Sequence, residues 1–102
     1  QGRLQEAEPY LREALEWRRG VLGDNHPRTL TSINNMGLLF RMQGRLEEAE
    51  TYYREALQGR RRILGNDHPR TLTSISNLGV LFYAQGRFEE AETYLIEALE
   101  IR

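Results

Sequence analysis

The 102-residue chain contains no cysteine and no lysine. The first absence excludes disulfides, thiol catalysis and cysteine metal sites. It leaves the compartment open, and a cytoplasmic location is the expectation. The second makes all 14 basic side chains arginine, excluding a lysine nucleophile or a phosphate-binding lysine. Charge of one sign is also lacking. The net value of -1 gives no general pull toward nucleic acid or acidic membranes, so neither is expected as a partner. No apolar run approaches the roughly 20 residues that span a bilayer. No apolar stretch follows Gln1-Gly2-Arg3-Leu4, so these residues do not read as a signal peptide.

What the chain does have is repetition. Residues Gln1–Met42 match Gln43–Ala84 at 28 of 42 positions, and Gln85–Arg102 match Gln43–Arg60 at 13 of 18, without gaps. Residues 1–102 read as one repeat domain, opening on a half repeat (1–18) and continuing in 42-residue units. An excerpt of a longer array is the expectation.

Each unit holds two helical patterns. Leu46, Ala49, Tyr53, Ala56, Leu57 and Leu64 recur at three- and four-residue steps, one face of a helix. Glu47, Glu48 and Glu50 start it and Arg60, Arg61 and Arg62 end it, matching the helix dipole. Gly65 is placed to end it in left-handed backbone. Leu72, Ile75, Leu78, Gly79 and Phe82 form the second stripe. Asn66-Asp67-His68-Pro69 precedes it, with Asn or Asp as candidate caps. The expected helices are about 4–22, 27–43, 46–64, 69–85 and 88–102, joined by short turns and therefore antiparallel to their neighbours. Neither helix of a unit buries its apolar face alone, so an all-α solenoid of stacked helix pairs follows.

Gly79, Phe82, Gly86, Phe88, Ala91 and Ala98 stand at the spacing of the tetratricopeptide repeat, as do Gly37, Phe40, Gly44, Leu46, Ala49 and Ala56. The chain resembles that family along its whole length. Its period of 42 exceeds the usual 34 or so. The extra residues surround Arg62-Ile63-Leu64-Gly65-Asn66-Asp67-His68-Pro69, and this variant resembles kinesin light chain repeats and their bacterial relatives. Glycine at 37 and 79 departs from the alanine common in the family. The resemblance implies a right-handed superhelix that binds a protein or peptide in its concave groove.

A further stripe on the second helix type carries that expectation. Thr31, Asn34, Asn35, Leu38, Arg41 and Met42 correspond to Thr73, Ser76, Asn77, Val80, Tyr83 and Ala84, and four of the six pairs differ. The core stripe repeats instead: Ile33, Gly37 and Phe40 return as Ile75, Gly79 and Phe82. A scaffold keeps its core while varying its binding surface. The resemblance implies that Asn35 and Asn77 hold a peptide backbone, since an amide offers donor and acceptor together. A solvated asparagine or a helix–helix hydrogen bond is the plain alternative. Arg41 suits an acidic ligand group; Leu38 and Tyr83 offer apolar contact. Asn34, Ser76 and Val80 complete the candidate face.

Other chemistry finds no support. His26 and His68 lie one repeat apart, too far to share a metal, and each fits a loop-packing or capping role. His68, Ser74 and Asp67 have near copies in every unit, unlike an active site made once. Arg18-Arg19 and Arg60-Arg61-Arg62 read as solvated helix ends. No cofactor motif and no metal site are expected, and no enzyme. Two further expectations concern packing. Leu95, Leu99 and Ile101 carry the apolar pattern to the end, so copies are expected to self-associate through uncapped helices. Gly59, where Trp17 and Ile101 stand in the other copies, is expected to soften the middle unit. A structural spacer or self-assembling repeat segment with an empty groove is the competing reading.

Overall fold

A computed structural model describes the backbone of residues 2–101 and the side chains of residues 3–100. Five helices follow one another: α1 (Gly2–Leu22), α2 (Pro27–Met42), α3 (Leu46–Leu64), α4 (Pro69–Ala84) and α5 (Phe88–Ile101). Their ends fall within two residues of the sequence expectation. Arg102, the expected end of α5, lies outside the described residues. No described helix is long and apolar enough to cross a membrane.

Each sequential pair packs together, and side-chain bonds sort the helices into two layers. Arg19 of α1 reaches Glu55 of α3, and Arg61 of α3 reaches Glu97 of α5. Asn77 of α4 meets Asn34 of α2. Thus α1, α3 and α5 form one layer, with α2 and α4 as the other. The Cα envelope of 35 × 31 × 16 Å agrees: two helices about 10 Å apart, each about 2.3 Å in Cα radius, are about 15 Å thick.

Local chemistry sets the breaks. Gly44 and Gly86 have φ of 80° and 79°. Gly44 N–H donates to Arg41 O, and Arg45 N–H donates to Phe40 O at 2.8 Å. This satisfies the orphan carbonyls at the end of α2, and only glycine takes that backbone cheaply. The same bonds recur from Gly86 and Arg87 onto Tyr83 and Phe82. Gly65 has positive φ as expected, but its ψ of 164° is extended rather than left-handed helical. The helix starts correct a second expectation. His26 and His68, not Asn or Asp, cap α2 and α4: each Nδ1 accepts the backbone N–H of Arg28 or Arg70 at 3.1 Å.

The core is wider than one stripe. Ile33, Met36, Phe40, Ile75, Leu78 and Phe82 are buried as the periodicity requires. Thr29, Ser32, Leu39, Thr71, Ser74 and Leu81 are buried too, because each inner helix is wedged between two outer ones. Small residues set the spacing. A Cβ on Gly37 would stand 2.6 Å from Tyr53 Cδ1. Gly59 does not loosen α3 in this packing: it is buried, and Leu30 fills the space where its Cβ would be, at 2.4 Å.

Of the two arginine clusters only Arg62 is exposed as expected; Arg18, Arg19 and Arg61 are half-buried and Arg60 is buried. Arg60 is only 4% exposed. Its guanidinium donates to Ser74 Oγ at 2.8 Å and to Arg70 O at 3.2 Å, while Thr71 Oγ1 donates to Arg60 O. Arg18 makes the same bonds to Ser32 and Arg28. Each clasp ties the end of an outer helix to the start of the next inner one. Arg19 and Arg61 each hold a carboxylate of the following outer helix with two nitrogens, Glu55 and Glu97 respectively.

A second ladder links the other ends of the outer helices. Glu8 accepts from Arg45, and Glu50 accepts from both Arg54 and Arg87. Burial pushes the Glu50 carboxyl up, but its two arginine partners outweigh it and hold the pKa below the ordinary 4.5. A carboxyl lowered on folding stabilises the fold above its unfolded pKa, and the gain is lost as pH falls through the lower folded value. Glu50→Gln is therefore expected to cost on the order of 1 kcal/mol near neutrality. The difference from the parent should vanish in strong acid. Urea melts of both proteins at pH 7 and pH 2 check this; an equal gap at both pH values contradicts it.

Candidate functional site

None of the twelve residues on the candidate stripe is buried, so the face is not a core face. Asn35, Leu38, Arg41, Met42, Thr73, Val80, Tyr83 and Ala84 are exposed; Thr31, Asn34, Ser76 and Asn77 are half-buried. Helical spacing on α2 and α4 brings them onto one side of the inner layer.

The eight named candidates divide into three groups. At the seam between the helices, Asn77 Nδ2 donates to Asn34 Oδ1 at 3.1 Å. Ser76 occupies on α4 the position that Asn34 holds on α2, on the side facing away from α2. Asn35 is exposed because no inner helix stands on its side within the described chain. Asn35 and Asn77 are thus equivalent in register but not in surroundings. Leu38, Val80 and Tyr83 form an apolar part toward the helix ends, with Arg41 beside them. Tyr83 stacks edge-on against Phe88 at 5.1 Å, and both rings are exposed. The sequence stripe missed Phe88 because it sits on α5 and joins the face only through the tight turn at Gly86.

The seam retains hydrogen-bonding capacity. No buried side-chain nitrogen or oxygen among the described residues lacks a partner. Asn77 Oδ1 and Asn34 Nδ2 take no part in the bond between these half-buried residues. Just beyond, Arg70 donates to Thr31 Oγ1 at 3.2 Å, a second bridge from α4 to α2.

Charge is segregated between the layers. α2 and α4 carry Arg28, Arg41 and Arg70 and no acid. All 15 acids lie on the outer helices and the turns, with ten further arginines among the described residues and Arg102 outside them. The inner layer is thus +3 and the rest -4, a division hidden by the net charge of -1. Arg28, Arg41 and Arg70 are all exposed.

The histidines take no part in this face; each caps its own helix. Nothing in the described structure gathers them with Ser74 and Asp67, because Ser74 is buried against Arg60.

The family model for the tetratricopeptide repeat matches residues 1–62 and 33–102. No curated protein matches. Among solved structures, BtubC (BKLC) from P. vanneervenii is similar over 99% of this chain and 40% of its own, with 31% identity and a TM-score of 0.92. The kinesin light chain nearly identical TPR-like repeats from Podosopora anserina are similar over 98% of this chain and 47% of theirs, with 25% identity and a TM-score of 0.90. A point variant of those repeats gives the same values. The chain spans less than half the length of these proteins.

Proposed function

The chain belongs to the tetratricopeptide repeat family, and from that premise we propose that its inner layer binds an extended, acidic protein segment. Tetratricopeptide repeats commonly serve as protein-interaction scaffolds. The observation that carries the reading here is the acid-free surface of α2 and α4. Three exposed arginines face a ligand there without competing carboxylates, in a chain otherwise rich in them. Charge complementarity of this kind steers association and selects partners.

The division of labour follows from the side chains. Asn35, Asn34, Ser76 and Asn77 address the ligand backbone. An extended segment advances about 3.3 Å per residue, so helices about 10 Å apart meet every third residue. Arg41 takes a carboxylate. Leu38, Val80 and Tyr83 cover apolar side chains. Catalysis has no part in this proposal, and a cytoplasmic location remains with it.

The Asn77–Asn34 hydrogen bond favours a second reading, a spacer whose seam amides serve only to hold α2 against α4. Binding to an array of extended peptides of graded acidity separates the two. Asn35→Ala/Asn77→Ala is expected to weaken the best acidic peptide at least about tenfold, with helicity unchanged, since each lost hydrogen bond is worth about 1 kcal/mol. Added salt should weaken it further. Unchanged affinity in the double variant, or no preference for acidic peptides, supports the spacer.

A further inference from the structure

The inner face of α2 and α4 is itself periodic. Arg28 returns as Arg70, Thr31 as Thr73, Asn35 as Asn77, and the apolar Leu38 as Val80. Each pair stands at the same level of its helix. The face therefore carries rows of like side chains running across the helices: guanidinium, hydroxyl, amide, apolar. Both arginines and both apolar residues are exposed. That exposure belongs to the interior of the repeat array. Leu38 is 37% exposed although α4 flanks its helix, and Arg70 is exposed although it reaches Thr31 of α2.

A ligand that uses both members of each row must repeat its own side chains at the same step. Packed helices stand about 8–10 Å apart. On a β-strand, side chains on one face recur at every second residue, about 6.6 Å or about 13 Å apart. Neither distance matches. Three residues advance a strand by about 10 Å but turn the side chain to the opposite face. A polyproline II chain has three residues per turn and rises about 3.1 Å per residue. Every third side chain then points the same way after about 9.3 Å, inside the helix spacing. Its backbone makes no internal hydrogen bonds, so it is free to meet the amides of Asn35 and Asn77.

The rows also suit its three-sided cross-section. On each helix the arginine lies seven positions before the asparagine, about 10 Å, and the apolar residue three positions after it, about 4.5 Å. With the backbone over the asparagines, one edge of the ligand overhangs the arginines, the second the apolar pair, and the third faces solvent. An arginine and a glutamate, both long, close the wider gap between them.

We propose that the inner layer recognises a polyproline II segment in which an acidic and an apolar residue each recur at every third position. This rests on the reading that the inner layer binds an acidic segment, and adds its conformation and spacing. Arg28 and Arg70 face no acid on their own helices, so charge complementarity sets the sign of one edge. The step between helices sets the register.

Fluorescence anisotropy of the 102-residue protein with three labelled peptides tests this. The first repeats Glu-Leu-Pro, the proline holding the conformation. The second has the same composition, but glutamate and leucine alternate and the prolines are grouped at one end. The third repeats Gln-Leu-Pro. The first should bind at least about threefold tighter than either of the others. Arg28→Gln/Arg70→Gln, with helicity unchanged, should bring it down to the level of the third. Equal binding of the first two, both above the third, overturns the three-residue spacing and leaves the acidic reading standing. Equal binding of the first and third overturns both. A preference for the first over the third that survives the double variant overturns the assignment of its acidic edge to these arginines.

Discussion

Replacing Arg60 with alanine is expected to lower the unfolding free energy by about 3 kcal/mol, a large part of what holds a small domain together. The guanidinium is 4% exposed, and its partners are a hydroxyl and a carbonyl. No carboxylate among the described residues pairs with it. Burial, and then the nearby Arg70 charge, push its pKa down, although an arginine remains charged throughout the accessible pH range. Alanine removes two charge-assisted hydrogen bonds and leaves the Ser74 hydroxyl, itself fully buried, without its donor. It also removes the apolar stem that fills the α3–α4 angle. Part of this cost is relieved when Ser74 is removed as well. Arg60→Ala/Ser74→Ala should therefore cost less than the two single changes together, by about 1–2 kcal/mol. Arg18→Ala is the milder counterpart, since Arg18 makes the same bonds while half-buried. Urea unfolding followed by circular dichroism measures all four variants. A cost below about 1 kcal/mol for Arg60→Ala would mean that the clasp is incidental.

Gly37→Ala is expected to destabilise by about 2 kcal/mol, against the ordinary gain from replacing a helical glycine. The new methyl would stand 2.6 and 2.8 Å from two carbons of the Tyr53 ring. That ring is 1% exposed and packed on every side, so it has no rotamer to escape into. Gly79→Ala meets Leu95 Cδ2 and Cγ at 2.7 and 2.8 Å, but Leu95 is half-buried and can turn. Its cost should be clearly smaller. Gly20→Ala, with nothing within 4 Å of the added Cβ, should stabilise by up to about 1 kcal/mol. The order Gly37, Gly79, Gly20 tests whether close packing rather than helix propensity governs these sites. Equal effects at all three would refute it.

These variants also mark where sequence reasoning reached. The Leu30–Gly59 contact joins two helices 29 positions apart, and the sequence shows only a glycine in a helix, which reads as weakness. Asn35 and Asn77 look alike in the repeat, yet Asn77 is bonded to α2 while Asn35 faces no inner helix among the described residues. The arginine run 60–62 reads as a solvated end because its pattern is local. Arg60 is inside because α4 folds back over it, and Arg61 is engaged because α5 lies 36 residues further on.

The sequence by itself determined the period, the five helices, the glycine turns at 44 and 86, and the family, because each depends on backbone preferences and apolar spacing within one or two turns. It also determined the varied inner stripe and the lack of thiol or lysine chemistry. Only the tertiary structure decided which polar groups are buried and which glycines are required by contact. Those outcomes depend on what the adjacent helices press against each face, through contacts 14 to 29 positions apart along the chain.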